Sequence, residues 1–104
     1  MEELKRLKEL TDICGVSGNE YKVSQYLIKN LDNKKITFSY DNLGSLVGKL
    51  NNSKGAKVLV ASHMDEVGLM VREITPDGFL KFQTIGGWYS QVMLGQKWLV
   101  ETNA

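Results

Sequence analysis

The 104-residue sequence predicts an α/β class in the form of an α+β fragment, with two N-terminal helices followed by five or six strands. Three observations carry this. Apolar residues recur at three- and four-residue steps as far as Leu31, the period drops to two from residue 35, and Lys57–Ala61 is an unbroken β-prone run.

The first helix is read from Leu4, Leu7, Leu10 and Cys14, with Ile13 beside them, among charged residues. That spacing makes one side apolar, and Gly15 is expected to end the element. Ser17-Gly18-Asn19-Glu20 has the S-x-x-E form of a capping box, in which hydroxyl and carboxylate each take a backbone N–H at the start of the next helix. Val23, Tyr26, Leu27 and Leu31 form that helix's expected buried face.

Ile36, Phe38 and Tyr40 then alternate with polar neighbours as in a half-buried strand. Asp41–Gly44 supplies a turn, Ser45–Leu50 a second strand, and Asn51–Gly55 a polar loop. Lys57–Ala61, lacking alternation, has the pattern of a central strand covered on both faces. Val67–Ile74 and Phe79–Ile85 form a hairpin about Thr75-Pro76-Asp77-Gly78, where Pro presets φ and Gly takes the left-handed position. After Gly86-Gly87, Val92–Val100 is expected to be a last strand interrupted by Gly95.

Composition excludes several classes of function. A hydrophobic content of 42% is enough for a core, so the chain is not a disordered tail. Thirteen basic against twelve acidic residues, with no block of like charge, argue against a nucleic-acid partner. Cys14 and His63 are the single cysteine and histidine, so neither an internal disulfide nor a four-ligand structural zinc site of Cys and His can form. A reducing compartment is expected. No long apolar run follows Met1, and the longest apolar stretch, Val58–Ala61, is far short of a membrane span. The expectation is a cytoplasmic protein with no membrane partner.

His63 follows the apolar run, with Asp65 two residues on. A strand's period would point both side chains to one face, about 7 Å apart along the backbone. A carboxylate placed there suits a metal-bound imidazole, because accepting the ring's other N–H fixes the tautomer and strengthens the ligand. Taken alone, His-x-Asp is weak: a lone histidine at a strand end is more often a hydrogen-bonded core residue than a ligand. The longer string Ala61-Ser62-His63-Met64-Asp65-Glu66-Val67-Gly68-Leu69-Met70-Val71, followed by Asp77-Gly78-Phe79-Leu80 and Ile85-Gly86-Gly87-Trp88, reverses that balance.

Across these residues the sequence resembles the glutamyl aminopeptidase and tetrahedral aminopeptidase family of di-metal metallopeptidases, in its N-terminal part. Gly15–Glu20, Asp41–Gly44 and His63-x-Asp65-Glu66 look like family motifs, and Gly86-Gly87-Trp88 with Val92–Gln96 looks like the entry to the family's inserted β domain. The resemblance implies that residues 1–70 are the N-terminal part of a catalytic domain. They would hold a hairpin and the central strand of a zinc-exopeptidase-like sheet, with 71–104 comprising linking strands and the start of the inserted β (dimerisation) domain. It further implies peptide substrates with a free N-terminus, a homo-oligomer, and two divalent ions, Zn²⁺ or Co²⁺, that activate a water for attack on the first peptide bond. By motif, His63 would be a metal ligand and Asp65 the catalytic-site acid that orients it. The family's other ligands and its general base lie downstream of a point such as Ala104, so the chain is expected to be a fragment inactive alone.

Other residues are read more plainly. Cys14, on an apolar helix face without an adjacent base, is expected to pack rather than react. Strand parity turns Glu66 away from His63, which suggests a structural or substrate-side role. Trp88 and Tyr89 suit a pocket, a subunit contact or simple packing. The glycines of 15–18 match no phosphate-loop pattern. The rival reading is a non-catalytic β-rich interaction module. A glycan hydrolase is not supported, since no carboxylate pair can be placed across a cleft.

Overall fold

The structure, a computed structural model, describes residues 2–31, 35–50 and 55–102. The expected loop at 51–55 lies, Gly55 apart, outside the described residues. The chain is α+β, with helices α1 (Glu2–Thr11), α2 (Tyr21–Leu31) and α3 (Ser90–Met93) and strands β1 (Ile36–Tyr40), β2 (Leu46–Leu50), β3 (Gly68–Ile74) and β4 (Leu80–Ile85). The strands form two separate two-stranded antiparallel sheets, β1–β2 and β3–β4. The chain divides into two units, Met1–Glu66 and Val67–Ala104.

In the first unit, Glu2 and Glu3 in the first turn of α1 and Lys8 in the last complement the helix dipole. Exposed pairs at four-residue spacing run from Arg6 to Glu2 (2.6 Å), Lys5 to Glu9 (3.7 Å) and Lys8 to Asp12. Each adds only about 0.3–0.5 kcal/mol. The helix stops at Thr11, not at Gly15 as expected. The Thr11 hydroxyl donates toward the carbonyls of Leu7 and Lys8, both at 3.0 Å, and the Ile13 N–H bonds three residues back to Leu10. A last turn closed in this way leaves the helix before the apolar pattern ends.

The capping box also shifts. Glu20, not Ser17, directly precedes α2: its carbonyl accepts the Ser24 N–H at 3.0 Å and its carboxylate accepts the Gly18 N–H at 2.8 Å. On α2 only Val23 and Ser24 are buried, with Tyr26 and Leu27 partly covered and Leu31 exposed. The Tyr26 hydroxyl donates to Glu9 on α1 at 2.7 Å. The Ser24 hydroxyl donates to Tyr21 O at 2.8 Å, which uses its one proton, so Tyr40 O–H on β1 donates to Ser24 at 2.9 Å.

The β1–β2 register pairs Ile36 with Leu50, Phe38 with Gly48 and Tyr40 with Leu46. Gly48 leaves room for the Phe38 ring, because a Cβ there would lie 3.2 Å from Phe38 Cε1. The expected turn forms. Asp41 Oδ1 accepts the Leu43 N–H at 2.9 Å and the Ser45 N–H at 2.8 Å. With the Ser45 hydroxyl as the largest influence and these amides behind it, the Asp41 carboxyl is held below its ordinary pKa.

The expected central strand does not form. Residues 57–61 have no pairing partner among the described residues, and Val58, Leu59 and Val60 are 84%, 88% and 90% exposed. Composition supplies a segment's β propensity but not the neighbour that turns it into a strand.

In the second unit, β3 and β4 pair from Gly68↔Ile85 to Ile74↔Leu80, with a register shift between Val71 and Glu73. Lys81 and Glu73 pair across the strands at 2.9 Å. Thr75 closes the turn, its N–H donating to Phe79 O at 2.8 Å and its hydroxyl accepting the Phe79 N–H at 3.0 Å. Trp88 Nε1–H is shared between Gly68 O at 3.0 Å and Ile85 O at 3.1 Å, and its ring lies 5.4 Å from that of Trp98. Those contacts give Trp88 a packing role. The expected strand at Val92–Val100 is absent: Ser90–Met93 is a single helical turn, and residues 94–100 form no strand ladder with a described residue. Among the described residues no helix is long and apolar enough to cross a membrane.

Candidate metal centre

His63 and Asp65 lie in the unpaired stretch that leads from Lys57 to Glu66, in the first unit. They come together within a segment that carries no strand pairing among the described residues. His63 Nδ1 is 2.9 Å from the Asp65 carbonyl and 3.1 Å from Asp65 Oδ1. Both groups only accept when the carboxyl is ionised, so the arrangement assigns the neutral ring's proton to Nδ1. That leaves the Nε2 lone pair without a hydrogen bond among the described residues. The His63 side chain is 83% exposed and that of Asp65 40%, so the ring is not sealed in apolar packing.

The segment is anchored just beyond the pair. Glu66 N–H donates to Gly15 O at 2.8 Å, Glu66 O accepts the Ser17 N–H at 3.3 Å, and Glu66 Oε1 accepts the Gly15 N–H at 2.9 Å. Val16 and Glu66 thereby form an isolated parallel bridge. Of the two roles expected of Glu66, structural or substrate-side, these bonds to the Gly15–Ser17 loop support the structural one.

A cleft of about 820 Å³ opens in the same unit, lined by Leu27, Phe38, Leu46 and Val60 together with His63 and Asp65. Its walls are the apolar faces of α2 and the β1–β2 hairpin. The cleft is therefore mostly apolar. Among the described residues no group of three or more His, Cys, Asp and Glu side chains is placed to hold a cation. The donor set fits one imidazole ligand with its supporting carboxylate and no more.

Sequence reasoning placed His63 and Asp65 side by side, as they lie here. It missed the Ser24–Tyr40 hydrogen bond and the grip of Glu66 on Gly15, because both link residues far apart in the chain. A free hydroxyl inside an apolar helix face was the available signal for Ser24.

The profile of the M42 glutamyl aminopeptidase family matches residues 44–104. Over 100 residues the chain is 43% identical to FrvX of Escherichia coli K12, named provisionally as an aminopeptidase, covering 96% of this chain and 28% of that one. It is 36% identical over 104 residues to the glutamyl aminopeptidase of Lactococcus lactis, covering 98% and 29%. It is 33% identical over 98 residues to the lysyl aminopeptidase of Pyrococcus furiosus, covering 93% and 28%. The chain spans less than a third of the length of these curated relatives.

Proposed function

This chain belongs to the M42 glutamyl aminopeptidase family, and from that membership we propose that, within a polypeptide of its relatives' length, it forms part of a metal-dependent aminopeptidase acting on peptides with a free N-terminus. Residues 1–70 would belong to the catalytic domain, the Lys57–Ala61 run serving as an inner strand of a zinc-exopeptidase-like sheet. Residues 71–104 would lead into an inserted domain through which copies associate. Relatives named for glutamyl and for lysyl ends share this segment at 36% and 33% identity, so the proposal commits to no side-chain preference.

The observation that carries the reading is the division of labour on the His63 ring, with Nδ1 held by Asp65 and Nε2 left toward solvent. In this reading His63 Nε2 is a metal ligand. Asp65 is the acid that fixes the ring's tautomer and orientation and, by accepting the Nδ1 proton, makes Nε2 a better donor. Two divalent ions, zinc or cobalt, would supply Lewis acidity at the scissile carbonyl and lower the pKa of a water. The chain contributes direction and basicity to one ligand. The remaining ligands and the proton-transferring base would come from residues other than these.

The test is a chimera in which residues 1–104 replace the matching segment of the Lactococcus lactis glutamyl aminopeptidase. It is expected to release product from an aminoacyl-anilide in the presence of zinc or cobalt, whereas the 104-residue chain alone releases none above a metal-only control. A folded but inert chimera, or turnover by the chain alone, would overturn the reading.

A further inference from the structure

Three groups of Glu66, its N–H, its carbonyl and its carboxylate, all bond to the Gly15–Ser17 loop. The peptide unit joining Asp65 to Glu66 is the link to the site. Its carbonyl lies 2.9 Å from His63 Nδ1, and its N–H donates to Gly15 O at 2.8 Å. A peptide unit is planar, with its carbonyl and N–H pointing in opposite directions, so fixing one end fixes the other. The result is a continuous relay from Gly15 C=O through the 65–66 amide to the imidazole N–H, in which each bond polarises the next.

Gly15 is itself seated hard against α2. A Cβ on it would lie 2.6 Å from Val23 Cγ2, and Val23 is the buried apolar side chain of this unit. The loop that receives Glu66 is therefore placed by the core. Of the bonds to that loop, the backbone contact to Ser17 is long, at 3.3 Å, while the carboxylate bond at 2.9 Å is charge-assisted and the stronger kind.

We propose that Glu66 is a positioning residue: by gripping Gly15 at its N–H and its carbonyl, it orients the Asp65–Glu66 peptide plane that holds the His63 ring with Nε2 outward. The proposal rests on the reading of His63 as a ligand supported by Asp65, and it adds the element that makes the pair rigid. Between Lys57 and Asp65 no strand pairing among the described residues steadies the segment, so its orientation depends on the residue at its far end.

His63 is the only histidine, so its ring nitrogens can be followed without ambiguity in the ¹⁵N-labelled 104-residue chain, at a pH where free imidazole is neutral. The wild-type ring is expected to be protonated at Nδ1. Glu66→Gln keeps an acceptor oxygen at the same reach and should retain that tautomer. Glu66→Ala and Glu66→Asp should lose it, the ring reverting to the mixture of an isolated histidine while β1–β2 amide signals stay in place. A merely structural role would move fold signals and tautomer together, or neither. Retention of the Nδ1–H form in Glu66→Asp, with the Gly15 amide shifted, would overturn the proposal, and this variant and Glu66→Gln decide the matter if Glu66→Ala does not fold. A wild-type ring protonated at Nε2 would instead refute the underlying His63–Asp65 reading, and the proposal with it.

Discussion

The β3–β4 hairpin and the Lys57–Ala61 run are built from similar β-prone apolar residues, but the first is a paired ladder and the second is bare chain. The difference lies in where the partner is encoded. β4 follows β3 after a five-residue connection whose Thr75 closes the turn through both its N–H and its hydroxyl, so pairing is settled locally. The 57–61 run has no such neighbour among the described residues, and Val58–Val60 stand at least 84% exposed. The site lies at the end of that less supported region, and Glu66 ties it down from a distance of 51 residues in sequence. Local chemistry makes the hairpins, and a long-range contact anchors the segment that carries His63.

The largest expected effect breaks the hairpin side of this contrast. Gly86 has φ +83°, and a Cβ there would lie 2.7 Å from Val67 Cγ1. Gly86→Ala therefore combines left-handed strain with overpacking, about 2–5 kcal/mol together. Chemical denaturation followed by Trp88 and Trp98 fluorescence should show the second unit lost first. An unchanged midpoint would mean that β4 does not depend on that turn.

A smaller effect separates the two hairpins by pH. The Asp41 carboxyl, stabilised by Ser45 and by the amides of its turn, is held below its ordinary 3.8. The stability it contributes is fully present above 3.8 and is lost as pH falls through its lower folded value. The β3–β4 turn relies instead on the Thr75 hydroxyl, which does not titrate. Carboxyl ¹³C shifts during acid titration should place Asp41 below ordinary aspartates, and Asp41→Ala should remove the dependence. Titration at or above 3.8 would contradict the turn geometry.

The smallest effect sharpens the contrast at the bare run. Val58→Thr in the 104-residue chain should alter stability by no more than about 0.5 kcal/mol, since the side chain is exposed. The same replacement at buried Val23 should cost about 1–3 kcal/mol by burying a hydroxyl. A comparable loss at Val58 would show that the run is covered in solution.

Legibility in the sequence followed the same division. The turns at Asp41–Gly44 and Thr75–Gly78, the strands they join and the existence of both first helices could be read from spacing and turn chemistry, which act over a few residues. The end of α1 could not, because the Thr11 hydroxyl closes it where the apolar pattern still runs on to Cys14. Nor could the fate of Lys57–Ala61 and Val92–Val100, whose β propensity says nothing of a partner. The proximity of His63 and Asp65 was anticipated at the end of a covered strand; it occurs in a segment without strand pairing among the described residues, where Asp65 offers both its carbonyl and its carboxylate to one nitrogen.

The central claim is that His63 lends Nε2 to a cation, and metal content tests it most directly. In the chimera with the Lactococcus lactis enzyme, elemental analysis after exhaustive dialysis should show His63→Ala retaining fewer bound ions than the unsubstituted protein, with turnover falling in parallel. Full metal content and unchanged turnover in that variant would contradict the account.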